Sequence, residues 1–391
     1  MQSHTTVGIL GGGQLGLLLA RSIINLGGKV LFYEPDSAAP ACLHFRSINE
    51  QYNDVKAMTE FINSVDVITY EFENVDATTL RLLKPKTPVY PSLDVLTITQ
   101  DRIAEKTFLQ NNGLPHAKFQ SFKNLDELKN KHDSLTYPCI LKTARGGYDG
   151  HGQFFVEDKT TLESLLKALE QKYSKETSFI AEQVVDIAIE LSCITAVTCE
   201  GDSVAFPVME NRHREHVLDT TLVPARISPE IEARVRKIAL DAASMLKVTG
   251  LLTTEFFLSN DDEIFINEFA PRPHNSGHVT MKACTISQFD ALARVLLKQP
   301  LSEIAPASSD SYCMMNLLGD VWLAQNKNNE RAHLNLAPLL AHDAVMDVVL
   351  YGKEVARARR KMGHFITRSQ KPAKALELAL DFREALKKVR N

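Results

Sequence analysis

Two carboxylates near residue 260 carry the sharpest chemical signal. Glu255 and Glu268 stand at equal distances from a turn centred near Asp261 and Asp262. Symmetric hairpin pairing makes them opposed neighbours on adjacent strands, with Cβ atoms about 5 Å apart. Carboxylates at that spacing repel, so a cation between them is expected. Hard oxygen donors beside nucleotide phosphates suit Mg²⁺, which is commonly held by one or two carboxylates plus phosphate oxygens. Asn267 adds another oxygen. The competing reading turns one glutamate to solvent and pairs the other with a lysine.

Directly after the pair, residues 270–278 read APRPHNSGH. Arg272, His274, Asn275, Ser276 and His278 crowd a loop stiffened by two prolines, a donor set suited to a small oxyanion. His274 and His278 could instead share a metal at i, i+4. That spacing needs a helix, and the prolines argue against one.

A glycine-dense segment lies upstream, residues 146–152 (GGYDGHG), behind a strand ending in Lys142. Four glycines exceed what one tight turn requires. They suit a flap whose amides close over phosphates, with Lys142 neutralising charge beneath. No G-K-[ST] follows, so this is not a Walker A loop. The alternative is a loose hairpin tip, although Tyr148 and Asp149 are unusual in the middle of one.

The remaining signals are weaker. Residues 11–16 (GGGQLG) fit G-x-G-x-x-G between a strand and a helix, and Glu34 closes the next strand, where a ribose-binding acid belongs in dinucleotide enzymes. The motif by itself says only that amides and a helix N-terminus can approach an anion. It leaves a dinucleotide, another phosphate ligand or a ligand-free turn open. Glu182, Gln183, Val184 and Val185 end a strand and could meet an adenine and ribose, while Glu190 stands alone at an apolar strand start. Lys353, Arg357, Arg359, Arg360 and Lys361 form a basic run, either a solvated face or a phosphate site.

The elements that must position these groups follow from the hydrophobic patterning. Over the first 95 or so residues strand-like and helix-like segments alternate, which implies a doubly wound, largely parallel α/β domain. A helix is expected over 101–111. Hairpins are expected over 137–156, 191–209 and 250–270, with a helix opened by Ser228 and Pro229. This middle region is therefore α+β. From about residue 300 a smaller third unit is expected, ending in a helix over 371–389.

A chain of 391 residues accommodates two or three packed domains. Its formal charge of -4 argues against non-specific binding to nucleic acid or an anionic membrane. Six cysteines with no C-x-x-C pair fit reduced thiols and a cytoplasmic location. The apolar stretch over 7–20 is broken by glycines and Gln14, so it is read as neither a signal peptide nor a membrane span.

Together these segments resemble the ATP-grasp superfamily, and within it the 5-(carboxyamino)imidazole ribonucleotide synthases of purine biosynthesis. The landmarks are GGGQLG (11–16), YEFEN (70–74), DRIAEK (101–106), GGYDGHGQ (146–153), ENRH (210–213), NEFAPRPHNSGH (267–278), SQF (287–289) and RKMGH (360–364). The resemblance implies an ATP-grasp fold over residues 99–300 with a flap lobe at about 116–187. A Rossmann-like pre-ATP-grasp domain over 1–98 precedes it, and a small C-terminal domain over 301–391 follows.

The same resemblance implies the roles. Arg102, Lys142, Gly146, Gly147, Tyr148, Asp149, Gly150, His151, Gly152, Glu182, Gln183, Val184, Val185, Glu190 and His213 would hold ATP. Glu255 and Glu268 would bind Mg²⁺ beside Asn267. Arg272 and His274 would face bicarbonate and the carboxyphosphate made from it. Gly13, Gln14, Leu15, Glu73, Tyr148, Asp149, Lys353 and Arg360 would line the aminoimidazole ribonucleotide pocket, with Asp149 and Lys353 counted among the catalytic residues. A homodimer is implied as well. Leu17 and His151 depart from the family's usual larger, often basic residue and its common arginine. Three rivals stand beside this reading. One is another ATP-grasp ligase, such as a formate-dependent glycinamide ribonucleotide transformylase or a biotin carboxylase-like enzyme. The others are an NAD-dependent dehydrogenase and a non-catalytic nucleotide sensor.

Overall fold

The computed structural model describes residues 4–147, 152–327 and 329–389. Its N-terminal part is the expected parallel sheet. Strands β1 (Thr6–Leu10), β2 (Lys29–Tyr33), β3 (Ser47–Ile48) and β4 (Val67–Tyr70) lie in the order β3-β2-β1-β4. Helix α1 (Gln14–Asn25) follows β1 at once, and its buried face of Leu15, Leu18, Leu19 and Ile23 shares a core with β1 and β2. Strands buried on both faces read as continuous apolar runs, which is why β1 and β4 were visible as VGIL and VITY.

Helix α2 (Arg102–Asn111) opens on Asp101, whose side chain accepts the amides of Ile103 and Ala104. It leads into a small antiparallel sheet of β5 (Phe119–Phe122), β6 (Cys139–Thr143), β7 (Gln153–Val156) and β8 (Phe179–Gln183), ordered β5-β8-β6-β7. The β6–β7 hairpin flanks the glycine-dense segment, as its composition anticipates.

A nine-stranded antiparallel sheet forms the body of the molecule. It contains β9 (Ile187–Val197), β10 (Ser203–Ala205), β11 (Met209–Arg214), β12 (Val217–Val223), β13 (Gly250–Ser259), β14 (Ile264–Ala270), β15 (Ser311–Leu318), β16 (Val345–Leu350) and β17 (Lys361–Ser369). The order is β14-β13-β9-β11-β12-β15-β17-β16, with β10 beside β9. Helix α3 (Pro229–Met245), capped by Ser228 with proline in its first turn, covers one face. Helix α4 (Gln288–Leu296) packs against α1, where Ser22 Oγ donates to Asp290 Oδ1 at 2.7 Å. Helix α5 (Pro372–Lys388) closes the C-terminal core.

The chain after residue 300 is less separate than expected, because β15–β17 continue the central sheet through β12. Strand pairing across sequence distances near 90 residues leaves no compositional trace, so the continuity was not legible. A second difference is local. Residues 276–283 are helical in spite of the preceding prolines, which end just short of them. Among the described residues no helix is long and apolar enough to cross a membrane.

Candidate active site

The three sheets meet around a cavity of about 840 Å³. Its wall gathers residues from 14 to 361, so each stretch singled out above contributes to one space.

At one end lie the opposed carboxylates. Glu255 of β13 pairs with Glu268 of β14, as the spacing anticipates, but by a different route. From the turn outward the ladder runs Leu258↔Ile264, Phe257↔Phe265 and Phe256↔Ile266, one residue short of the symmetric register. A β-bulge at Asn267 supplies the missing residue and brings Glu268 opposite Glu255. Burial opposes ionisation of Glu255, yet His274 Nε2 at 3.0 Å from its Oε1, with His213 and Arg272, holds the carboxyl at about 2. Glu268 is pushed the other way, first by burial and then by Glu255, with Arg102 and Lys142 only partly offsetting. A buried carboxylate held short of cations is a place where a divalent ion fits. Among the described residues no three His, Cys, Asp or Glu side chains converge as a self-sufficient metal site. Two carboxylates suit an ion that shares its shell with phosphate oxygens.

The expected nucleotide residues border the same space. Lys142 Nζ lies 3.1 Å from Glu182 Oε1, and Lys106 Nζ lies 3.5 Å from its Oε2. Burial raises the Glu182 carboxyl, but Lys142 and Lys106 win and hold it at about 2. Arg102 reaches the glycine-dense hairpin, donating to Gly147 O at 3.1 Å and Thr143 O at 3.4 Å. Glu190 and His213 form an ion pair. Burial depresses this imidazole and Glu190 more than offsets it, for a net rise. Gly146, Gln183, Val184, Val185 and Asn267 complete this wall. Gly152 lies outside it. With φ of 74° it offers its carbonyl to Thr143 N and closes the hairpin. Tyr148, Asp149, Gly150 and His151 fall outside the described residues.

The proline-bounded loop forms the centre. Arg272 pairs with Glu73, whose carboxyl burial would raise but Arg272 holds at about 2. His274 is fixed on three sides. Its amide donates to Gln288 Oε1 at 2.8 Å, its carbonyl accepts from Gln288 Nε2 at 2.7 Å, and its Nδ1 meets Ser276 Oγ at 2.8 Å. Behind Ser276 a buried chain continues through Ser192 and Asn211 to Thr221. His278, the alternative metal partner, is 0% exposed and stacks on His364 at 4.4 Å between ring centroids. It points into the core, so the two histidines share no ion.

At the far end the N-terminal glycine motif departs most from expectation. Gly13 N donates to Glu71 Oε1 at 2.6 Å, Gly16 N to Glu71 Oε2 at 2.8 Å, and Gly12 N to Glu34 Oε2 at 2.8 Å. The chain's own carboxylates thus occupy the amides that a dinucleotide's pyrophosphate would need. A Cβ at Gly13 would lie 2.4 Å from Glu71 Oε1, so the glycines here admit an internal acid. Gly13 therefore does not border the cavity, whereas Gln14 and Leu15 do. Glu34, the expected ribose acid, also accepts the amide of Asp36 at 2.9 Å. Glu71 is not among the residues expected at the site, although it stands two residues before Glu73 in YEFEN.

The basic run is divided. Lys353 borders the cavity and donates to Lys361 O at 2.8 Å. Burial, then Arg360, lowers its ammonium to about 8 against the pull of Glu71. Arg360 also lines the wall and donates to Val355 O at 2.6 Å. Arg357 is exposed and lies outside the wall.

Comparison with known proteins places these features. Three family models match: a ribonucleotide synthetase preATP-grasp domain over residues 4–100, an ATP-grasp domain over 107–289, and a phosphoribosylaminoimidazole carboxylase C-terminal domain over 313–378. The N5-carboxyaminoimidazole ribonucleotide synthase of Bacillus subtilis is 36% identical over 360 residues, covering 92% of this chain and 90% of that protein. A Staphylococcus aureus N5-carboxyaminoimidazole synthetase solved with ADP superposes with a TM-score of 0.86 at 32% identity, covering 98% of both chains. The Aspergillus clavatus enzyme, solved with ADP and 5-aminoimidazole ribonucleotide, gives 0.85 at 26% identity over 100% of both chains.

Proposed function

The chain belongs to the N5-carboxyaminoimidazole ribonucleotide synthases, ATP-grasp ligases that carry out the ATP-dependent carboxylation step of purine biosynthesis, and from that premise we propose which residues serve each reactant. One observation carries the proposal: the opposed carboxylates, the Arg272–His274 loop and the Lys353–Arg360 pair border a single cavity.

ATP is assigned to the wall between the two antiparallel sheets. Lys142 and Arg102 face its phosphates, residues 182–185 its base and ribose, and Glu190 with His213 the ribose side. Glu255 and Glu268 would hold Mg²⁺, with Asn267 beside them. The ion would supply positive charge where phosphate oxygens gather. A bicarbonate oxygen attacks the γ-phosphorus, the bond to the β-γ bridging oxygen breaks, and carboxyphosphate and ADP result. Arg272 would bind the bicarbonate and His274 would orient it, since Gln288 fixes the His274 backbone and Ser276 its ring. The exocyclic amine of the imidazole then attacks the carboxyl carbon, phosphate leaves, and the amine gives up a proton. Asp149 is our proposed acceptor on sequence grounds. The glycine-dense flap is proposed, on sequence grounds, to keep water from the acyl phosphate.

The imidazole ribonucleotide is assigned to the end formed by Gln14, Leu15, Glu73, Lys353 and Arg360. A charge-assisted contact is worth about 1.5–3 kcal/mol. Lys353→Ala and Arg360→Ala should therefore each raise its KM about ten- to a hundredfold, with KM for ATP nearly unchanged. Steady-state kinetics on both substrates check this. Lys353 also predicts a pH effect. Its charged form prevails below about 8 and is lost above it. Substrate phosphate is already dianionic well below that pH. KM should thus rise as pH climbs through 8, and Lys353→Arg should flatten the profile. All six cysteines are unpaired, which supports our placing the enzyme in the cytoplasm. The homodimer is proposed from the family resemblance alone.

A further inference from the structure

Two adjacent residues of α2 that have no role in the scheme above are tied to the strand that carries Glu268. Lys106 and Glu105 are 1% and 2% exposed. Lys106 Nζ donates to Asn267 O at 2.8 Å and Ile266 O at 3.1 Å, while Glu105 Oε1 accepts Phe269 N at 2.6 Å. Asn267 is the bulged residue, so these bonds bracket the irregularity. A bulge interrupts the ladder and leaves backbone groups without strand partners, and in a buried site each is costly unless satisfied. On the outer edge of β14, Ile266 also bridges His116, its N–H donating to Pro115 O at 2.8 Å.

The bulge also decides which way Glu268 points. If the register near the turn continued unbroken, Glu255 would face Asn267 and Glu268 would fall opposite Thr254. Side chains alternate between faces, so Glu268 would then leave the cavity. We propose that Lys106 and Glu105 are positioning residues that hold the backbone of this bulge and so set the phase in which Glu268 faces Glu255 across the cation end of the cavity. The inference rests on the reading of that glutamate pair as cation ligands. Lys106 also reaches Glu182 at 3.5 Å, which joins the bulge to the nucleotide wall of the smaller sheet.

The test measures Mn²⁺ affinity, with Mn²⁺ standing in for Mg²⁺, by electron paramagnetic resonance on the full chain saturated with ADP. Lys106→Met should weaken Mn²⁺ binding about tenfold while leaving equilibrium affinity for aminoimidazole ribonucleotide within twofold. In a Glu268→Gln background the same change should add nothing, because its effect passes through Glu268. Glu105→Leu, which removes the acceptor for Phe269 N, should behave like Lys106→Met. The isosteric Glu105→Gln keeps an acceptor oxygen and should stay within twofold of the parent in Mn²⁺ affinity. Parent-like Mn²⁺ affinity in a folded Lys106→Met, or a further loss in the Glu268→Gln background, overturns the proposal. If Lys106→Met and Glu105→Leu do not fold, Glu105→Gln decides. A tenfold loss there makes Glu105 act by its charge and overturns positioning, and retention upholds it. Unchanged Mn²⁺ affinity in Glu268→Gln alone instead removes the cation reading beneath, a distinguishable failure.

Discussion

Exchange of Glu268 for glutamine should cut ADP formation by about a hundredfold or more and, in the absence of divalent cation, raise thermal stability. The two effects share one cause. The carboxylate is unfavourable where it stands, because burial and Glu255 both push its pKa up. In the proposed assignment it meets a cation, and removing one preorganised charge-stabilising group of this kind costs about two to three orders of magnitude in rate. A group whose folded pKa is raised destabilises the fold above its unfolded value, near 4.3 for glutamate. The gain in melting temperature should therefore appear at pH 7 and vanish below about pH 4, where Glu268 is protonated in both states. Calorimetry at the two pH values, with single-turnover ADP formation at saturating Mg²⁺, checks both halves. Loss of stability at pH 7 or parent-like turnover would contradict the assignment.

Arg272→Ala should lose activity at least as severely, by about a thousandfold, but with the opposite effect on stability. Arg272 is assigned to the oxyanion and is also the counter-ion of Glu73, with side chains 14% and 24% exposed. Truncation leaves Glu73 buried without its cation, a cost on the order of 2–3 kcal/mol for a largely buried pair. The folded carboxyl titrates at about 2, so the pair's contribution is complete above the ordinary carboxylate range and is lost as pH falls toward 2. The stability gap between parent and variant should follow that course. Arg272→Lys should recover the stability better than the activity, since an ammonium supplies charge but not a planar fork. Denaturant titrations from pH 7 to 2.5 beside kcat/KM for bicarbonate separate the roles. Equal recovery of both by lysine would leave Arg272 as a counter-ion only.

These cases show what the residues disclosed and what they could not. The spacing of Glu255 and Glu268 about Asp261 and Asp262 gave the right opposition, yet the turn alone would have misplaced it by one residue. The correction is a bulge held by side chains some 160 positions away in sequence, which no local pattern encodes. The N-terminal glycines were read as a close approach to a ligand's phosphate, but the amides of Gly13 and Gly16 meet Glu71 of the same chain. A glycine motif reports space and amides, not what fills them. Cavity residues on strong periodic elements, such as Lys142 at the end of β6, were legible because strand and turn signals agree there. Glu105 and Lys106 were visible only as part of DRIAEK, because residues acting through backbone contacts carry no chemical pattern of their own. That the expected third unit shares the central sheet was not legible, since pairing of β15 with β12 depends on long-range register.

The most direct measurement is release of ADP by the purified chain, with fixation of labelled bicarbonate followed in the same reaction. Bicarbonate and aminoimidazole ribonucleotide are each supplied or withheld, and formate and glycinamide ribonucleotide serve as the competing pair. Fast ADP release is expected only when ATP, bicarbonate and aminoimidazole ribonucleotide are all present, with one label fixed in an acid-labile product for each ADP. ADP release that ignores the imidazole nucleotide, fixes no label, or prefers formate with glycinamide ribonucleotide would contradict it.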